Sequence, residues 1–207
     1  STAGLGIEEI NPTFDDQQSI YSTAFSLLDS AITLLNSSNG GFAPGGDDVI
    51  YGGNVSNWIK AAKAIKARAH LHLGQYGEAL SNAKASFESA ADNMSYTFGA
   101  TQQAGWWRFN DGRTGDIEFH PTLRAMMTDL NDTDRLGVWD QTFITSHPYM
   151  KANYRQDYIS YREIQFIIAE CLKRTNGSTA EMETAYLNGI NASFIDAGLS
   201  DAEFNTY

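Results

Sequence analysis

Apolar side chains recur along much of this chain at alternating steps of four and three residues, the spacing that lines one face of an α-helix. Tyr21, Phe25, Leu28, Ile32 and Leu35 form the first stripe, and Asp15 or Asp16 can cap its start. The stretch NSSNGGFAPGGDD (36–48), with two Gly pairs and a Pro, ends that helix in a loop. A second helix is predicted from about Asn57 to Leu73, with Ser56 as its cap. On it Trp58, Ala62, Ile65, Ala69 and His72 share one face, and Lys60, Lys63 and Lys66 share another. Ala61, Ala64 and Ala67 leave room for a close neighbour, and Gly74 stops the helix as a glycine just past a C-terminus does. Tyr76, Leu80, Ala83 and Phe87 then mark a third helix over 76–91.

The segment LHLGQYGEALSNAKASFESA (71–90) therefore reads as the turn and second arm of a helical hairpin of the tetratricopeptide kind. Its two arms should pack antiparallel, because the Gly74-Gln75 turn leaves room for nothing else. One such hairpin cannot bury its apolar face alone, so a second is expected to stack on it. QDYISYREIQFIIAECLKRTNG (156–177) supplies the first arm of that second hairpin; it is apolar nearly all round and should be a buried helix. Its second arm opens at Ser178, with Glu181 placed for a capping box, and carries Met182, Tyr186, Ile190 and Phe194 on one side. The expected fold class is mainly α: tetratricopeptide-like hairpins with long irregular loops, in one domain over residues 1–207.

Residues 92–156 break the pattern. Trp106, Trp107, Phe109, Phe119, Trp139, Phe143, Tyr149 and Tyr154 are scattered among Gly, Asn, Asp, Thr and two Pro. Only PTLRAMMTDLN (121–131) reads as helical, and the remainder is expected to be an irregular, aromatic-rich insertion. A stretch of that length with little regular structure tends to be functional.

Composition narrows the partners. The formal net charge of −11 argues against nucleic acid, whose phosphates need a basic surface. With 42% hydrophobic and 19% charged residues, 207 residues can bury a real core. The single cysteine, Cys171, excludes a disulfide within the chain and reads as a small buried hydrophobe. No signal peptide and no bilayer-spanning apolar run is visible. STAGLGIEEINPTFDD and AEFNTY read as interior pieces of a longer protein.

The titratable residues offer little catalytic chemistry. His70 and His72, two apart on a helix, point to different sides and cannot share a metal, and His72 is read as a satisfied core histidine. His120 and His147 complete the histidines, and no Ser–His–Asp or Cys–His arrangement can be assembled. Asp111 and Asp116, beside two tryptophans, could serve as the carboxylate pair of an all-α glycoside hydrolase. But Asp111-Gly112 reads as a tight turn, and the stretch lacks the alternating ligands of a calcium loop. Glu163 and Glu170 share a side of the apolar helix and are read as structural, with Arg68 as partner. No catalytic residue, metal or cofactor is expected.

Trp106-Trp107 is the strongest binding cue, because sugar rings lay their apolar C–H faces on indole. WWRFNDGR adds the polar groups Arg108, Asn110, Asp111 and Arg113, and Trp139, Tyr149 and Tyr154 are further candidates. In an extended loop one of the two adjacent indoles would face in and the other out. Two rival readings stay open: a helical-repeat scaffold that binds only protein, and the glycoside hydrolase.

Five segments together resemble the SusD/RagB-like proteins. DDQQSIYSTAFSLLDSAITLL is similar to the family's acidic, IY-containing helix that ends D-x-A-I-x-L-L. DVIYGGNVSNWIKAAKAIKARAHLHL resembles its D-x-I-Y-G-G, W-x-K and A-x-R-x-x-L-H-L stretch. LNDTDRL resembles N-D-P-R-L, with an insertion and without the Pro, while SYREIQFIIAEC and AYLNGINASF resemble Y-x-E-x-x-F-x-x-A-E-A and Y-x-x-G-I-x-A-S. The resemblance implies a mainly helical, non-enzymatic nutrient-binding protein, most often for glycans. It implies an outer-membrane lipoprotein of Bacteroidetes, working at the cell surface with a SusC-like TonB-dependent transporter. The lipid-bearing N-terminal cysteine would lie outside this chain.

Overall fold

Asp16 accepts a hydrogen bond from the Ser19 N–H at 2.9 Å and starts α1, Gln17–Asn36. The computed structural model describes residues 13–37, 44–113, 116, 120–139 and 151–206. From α1 the chain passes to α2 (Val55–His72) and α3 (Tyr76–Lys84). A short 3-10 turn at Ala90–Asp92 leads to β1 (Met94–Thr97). Three short helices follow: α4 (Gly105–Gly112), α5 (Pro121–Asp129) and α6 (Thr133–Trp139). β2 (Arg155–Ile159) precedes α7 (Tyr161–Arg174), α8 (Thr179–Asp196) and α9 (Asp201–Phe204). The molecule is mainly helical, as the periodicity implies.

The helix ends follow from local chemistry. α2 begins two residues earlier than expected, with Asn54 rather than Ser56 accepting the capping N–H, from Asn57 at 3.2 Å. Asp48 fixes the approach: its carboxylate accepts from the N–H groups of Ile50, Tyr51 and Gly53 and from the Trp58 indole at 2.7 Å. Burial works to raise the Asp48 carboxyl, but these donors outweigh it and hold the group below its ordinary value. Gly74 closes α2 with φ 69°, the left-handed region that glycine enters without strain, and Gln75 N–H bonds back to His70 O at 2.9 Å. α3 then turns back onto α2, but ends at Lys84, short of the expected 91. Phe87, beyond its end, is buried all the same.

The second hairpin is α7 with α8. Ser160 caps α7, so residues 156–159, expected to be helical, form β2 instead. Ser178 caps α8 by accepting from Glu181 N–H at 3.3 Å. The Glu181 carboxylate reaches Lys84 of α3 at 2.5 Å and so ties the hairpins together.

Small residues set the core. Ala61, Ala64 and Ala67 of α2 and Ala79 and Ala83 of α3 are buried with Ile164, Ile167, Ile168, Cys171 and Leu172 of α7. With no side chain beyond Cβ, the alanines let α3 pack closely between α2 and α7, which is how the two hairpins stack. Burial pushes the Cys171 thiol up to about 11, and the thiol therefore stays neutral. α1 lies against α2 through Phe25 and His70, whose rings stack at 4.1 Å, and through Lys66–Asp29 at 2.5 Å.

Two expectations about titratable residues need correction. His72 is exposed, not a core histidine, and meets Tyr21 OH at 3.3 Å; the alanine face of α2 takes the core instead. Glu163 and Glu170 do not share an environment. Glu163 binds Arg68 with both oxygens, at 2.5 and 2.7 Å. Glu170 is exposed and pairs with Arg174 at 3.3 Å. Seven residues on, the helix has risen about 10 Å and turned about 20° off the Glu163 direction.

Candidate functional site

The two strands place the aromatic segment. β1 and β2 run antiparallel, with Met94 opposite Ile159 and Thr97 opposite Arg155. The pairing continues beyond the strands, as Phe98 N–H donates to Tyr154 O at 3.0 Å and Ala104 N–H to Ala152 O at 2.9 Å. Gly99 N–H to Gln102 O makes the bend between those two contacts. Ala104 is fully buried, and α4 starts at the next residue. The chain leaving β1 is thus pinned to the chain entering β2, and α4 projects from the pinned point.

Trp106 and Phe109 are three apart on α4 and share a face; they remain 56% and 42% exposed. Together with Phe98, Tyr154 and Gln156 they line an open cleft of about 380 Å³. Tyr96 packs edge-on against Phe98, with ring centroids 5.0 Å apart, and its hydroxyl donates to Gln102 Oε1. The Arg113 guanidinium lies 5.5 Å from the Phe109 ring centre and pairs with Asp116 at 3.4 Å. Gln156 donates from Nε2 to Asp157 O at 3.1 Å, and its Oε1 accepts no hydrogen bond among the described residues. The wall is therefore aromatic with a polar edge: apolar ring faces for stacking, a carbonyl oxygen that accepts, and a guanidinium beside the mouth.

Helical structure at Trp106-Trp107 replaces the expected extended loop, and it redistributes the predicted residues. Trp106 and Tyr154 line the cleft, and Arg113 reaches its edge through Phe109. Trp107 is half-buried, Asn110 is buried, and neither lines the cleft. Arg108 and Asp111 are exposed outside it. The side chain of Trp139 and the whole of Tyr149 lie outside the described residues, as does His147. Among the described residues, 92–156 thus hold β1, the first two residues of β2 and three short helices, with PTLRAMMTDLN helical as expected over Pro121–Asp129. Phe98, Phe109 and Gln156 were not foreseen. Phe109 could have been found, since a helical reading of WWRFNDG places it beside Trp106.

Among the described residues no cluster of His, Cys, Asp or Glu could hold a metal ion, and no helix is long and apolar enough to cross a membrane.

A family model described as "SusD-like_2: Starch-binding associating with outer membrane" matches residues 1–142. Solved structures with the same fold include a SusD/RagB family protein from Bacteroides thetaiotaomicron, with a TM-score of 0.74 at 21% identity. That match covers 97% of this chain and 50% of the other. A protein named as chitin-binding has a TM-score of 0.75 at 20% identity, over 95% of this chain and 54% of its own. A SusD homolog from Bacteroides uniformis has a TM-score of 0.71 at 19% identity, over 93% and 47%. The chain therefore spans about half the length of these structures. No curated protein matches it.

Proposed function

The chain belongs to the SusD-like family, and from that premise we propose that it is the helical, ligand-contacting part of a non-enzymatic nutrient-binding protein whose ligand is an oligosaccharide held in the aromatic cleft. The observation that carries this reading is the exposed Trp106–Phe109 face above a cleft closed by Phe98, Tyr154 and Gln156. Large apolar rings left in water on a small helix need a reason, and the C–H face of a pyranose fits one, with its hydroxyls reaching Gln156 and Arg113. The family description names starch, and one structural neighbour is named for chitin, so the α-1,4-glucans and the chitooligosaccharides are the first candidates. In this reading the whole protein sits at the outer membrane, anchored by a lipid, and delivers its ligand to a SusC-like TonB-dependent transporter.

The test is calorimetric titration of the chain with maltoheptaose and with chitohexaose. Trp106→Ala should weaken binding by about thirtyfold or more, the loss of an anchor worth about 2 kcal/mol, with the melting temperature unchanged. Trp107→Ala should instead lower the melting temperature and leave affinity within about twofold, since the half-buried Trp107 is outside the cleft. Equal affinity of wild type and Trp106→Ala for a sugar that does bind would remove the cleft from the mechanism. Release of reducing ends from either sugar would restore the hydrolase reading.

A further inference from the structure

A second cavity, of about 390 Å³, opens beside α5 and shares no lining residue with the aromatic cleft. One wall is the apolar stripe Leu123, Met126, Met127 and Leu130. Asn131 takes a positive φ of 54°, and Asp132 N–H bonds back to Met127 O at 2.9 Å, which closes α5 and sets Asp132 at the end of the stripe. Asp132 lines the cavity at 3% exposure. Its Oδ2 pairs with the Arg135 guanidinium, while its Oδ1 is buried and has no hydrogen-bond partner among the described residues. A buried carboxylate oxygen left so is costly and calls for a donor. Arg162, also at the polar end, already faces Asp196 at 2.8 Å, and Arg135 donates to Ser193 Oγ at 3.2 Å. Each guanidinium is opposed by a carboxylate, so the polar end is close to charge-balanced.

These features select a ligand. An anion would meet the uncompensated Oδ1, and a cation would compete with Arg135 for the same carboxylate. A pure hydrocarbon would leave Oδ1 without a donor. We propose that this cavity binds a neutral small molecule whose apolar chain lies along α5 and whose terminal O–H or N–H donates to Asp132 Oδ1. From Leu123 to Leu130 the helix rises about 10 Å, the length of an eight-carbon chain, and the two thioether side chains adapt to an irregular apolar shape.

The probe is 1-octanol, with sodium octanoate as its charged counterpart, titrated into the intact chain labelled with carbon-13 at the methionine methyls. The expected result is a saturable shift of Met126 and Met127, with Met94 and Met182 unmoved, and octanoate at least about tenfold weaker. Met182 lines a different apolar surface pocket, so it reports unspecific partitioning. Asp132→Asn should reduce octanol affinity about fivefold, because a charge-assisted hydrogen bond becomes a neutral one. Met126→Glu, at a position 57% exposed, should abolish binding without lowering the melting temperature, and it serves if Asp132→Asn fails to fold. The proposal is overturned by shifts that do not saturate up to the solubility limit, by equal movement of Met182, by octanoate binding as tightly as octanol, or by an unchanged affinity in folded Asp132→Asn.

Discussion

Replacing Arg68 with Leu tests how the two hairpins are joined. Arg68 projects from α2, and Glu163 sits in the first turn of α7. The guanidinium donates from Nε to Glu163 Oε1 at 2.5 Å and from Nη2 to Oε2 at 2.7 Å. Nη2 also donates to Tyr158 O at 2.9 Å, so one side chain holds both β2 and α7. An exposed ion pair couples by about 0.2–1 kcal/mol, whereas cutting one partner from a fully buried pair costs about 3–5 kcal/mol. Here the side chains are 32% and 37% exposed, so solvent screens part of the attraction, while the paired geometry and the third bond add to it. The expected coupling energy is about 1–2 kcal/mol. Arg68→Leu alone should cost about 2–3 kcal/mol, since it also strips the Tyr158 carbonyl of a donor, and Glu163→Gln alone should cost about 1 kcal/mol. Urea denaturation of the wild type, both single variants and the double variant closes the cycle, and the midpoints should move at constant m. A coupling energy below about 0.3 kcal/mol would show that the pair contributes no more than a solvated surface contact, and the hairpins would then be held by the alanine core alone.

Two further perturbations test the frame. Burial tends to raise the Asp92 carboxyl, but the Glu88 N–H and the Lys60 ammonium outweigh it and hold the group below its ordinary 3.8. A depressed carboxyl contributes stability above its unfolded pKa and loses it as pH falls through the folded value. Thermal melts of wild type and Asp92→Asn should therefore differ most from pH 5 upward and converge as pH drops below about 3.8; a gap that stays constant down to pH 2 counts against the Asp92 charge. A Cβ added at Gly189 of α8 would stand 2.8 Å from the Phe166 ring of α7, a ring that Tyr186 meets edge-on at 6.0 Å between centroids. Gly189→Leu should cost about 1–3 kcal/mol by overpacking, more than the roughly 1 kcal/mol that helix propensity returns, and an unchanged melting temperature would mean that α8 is free to move away from α7.

The frame was legible because its determinants are local. Asp16, Gly74 and Ser178 end or begin helices through groups three to five residues away, so their roles can be read from spacing. The Arg68–Glu163 pair was legible for a different reason: a cation beside alanines on one apolar helix, and a carboxylate on another, each needs a partner of opposite sign. Where two local signals compete, spacing fails. YISY at 158–161 continues the apolar run of α7, yet Ser160 is a better helix cap than a helix interior, and β2 takes the residues before it. Phe87 extends the α3 stripe by one more step of four, but the helix ends at Lys84 and the ring reaches the core from beyond it.

The cleft was only half legible, because its two walls come from segments about fifty residues apart. Gly105, Asn110, Asp111 and Gly112 have low helix propensity, and a local reading assigns them to a loop. The hydrogen bond from Ala104 N–H to Ala152 O anchors that point in the fold, and tertiary context then overrides propensity to give α4. Once the segment is helical, Trp106 selects Phe109 as its neighbour, and Arg108 and Asp111 fall outside the cleft. Phe98 and Tyr154 meet through strand pairing, which no sequence period encodes. The same pairing ties the cleft to the frame: Tyr161 N–H donates to Asn93 Oδ1 at 2.7 Å, Ile159 enters the core as the last residue of β2, and Arg155 at its first residue pairs with Asp196 of α8 at 3.4 Å. The aromatic face can therefore vary with its ligand while Asn93, Ile159 and Ser160 stay fixed. Substitutions at Trp106 or Phe109 should change what the cleft accepts, and those at Ile159 or Asn93 should change whether the cleft forms at all.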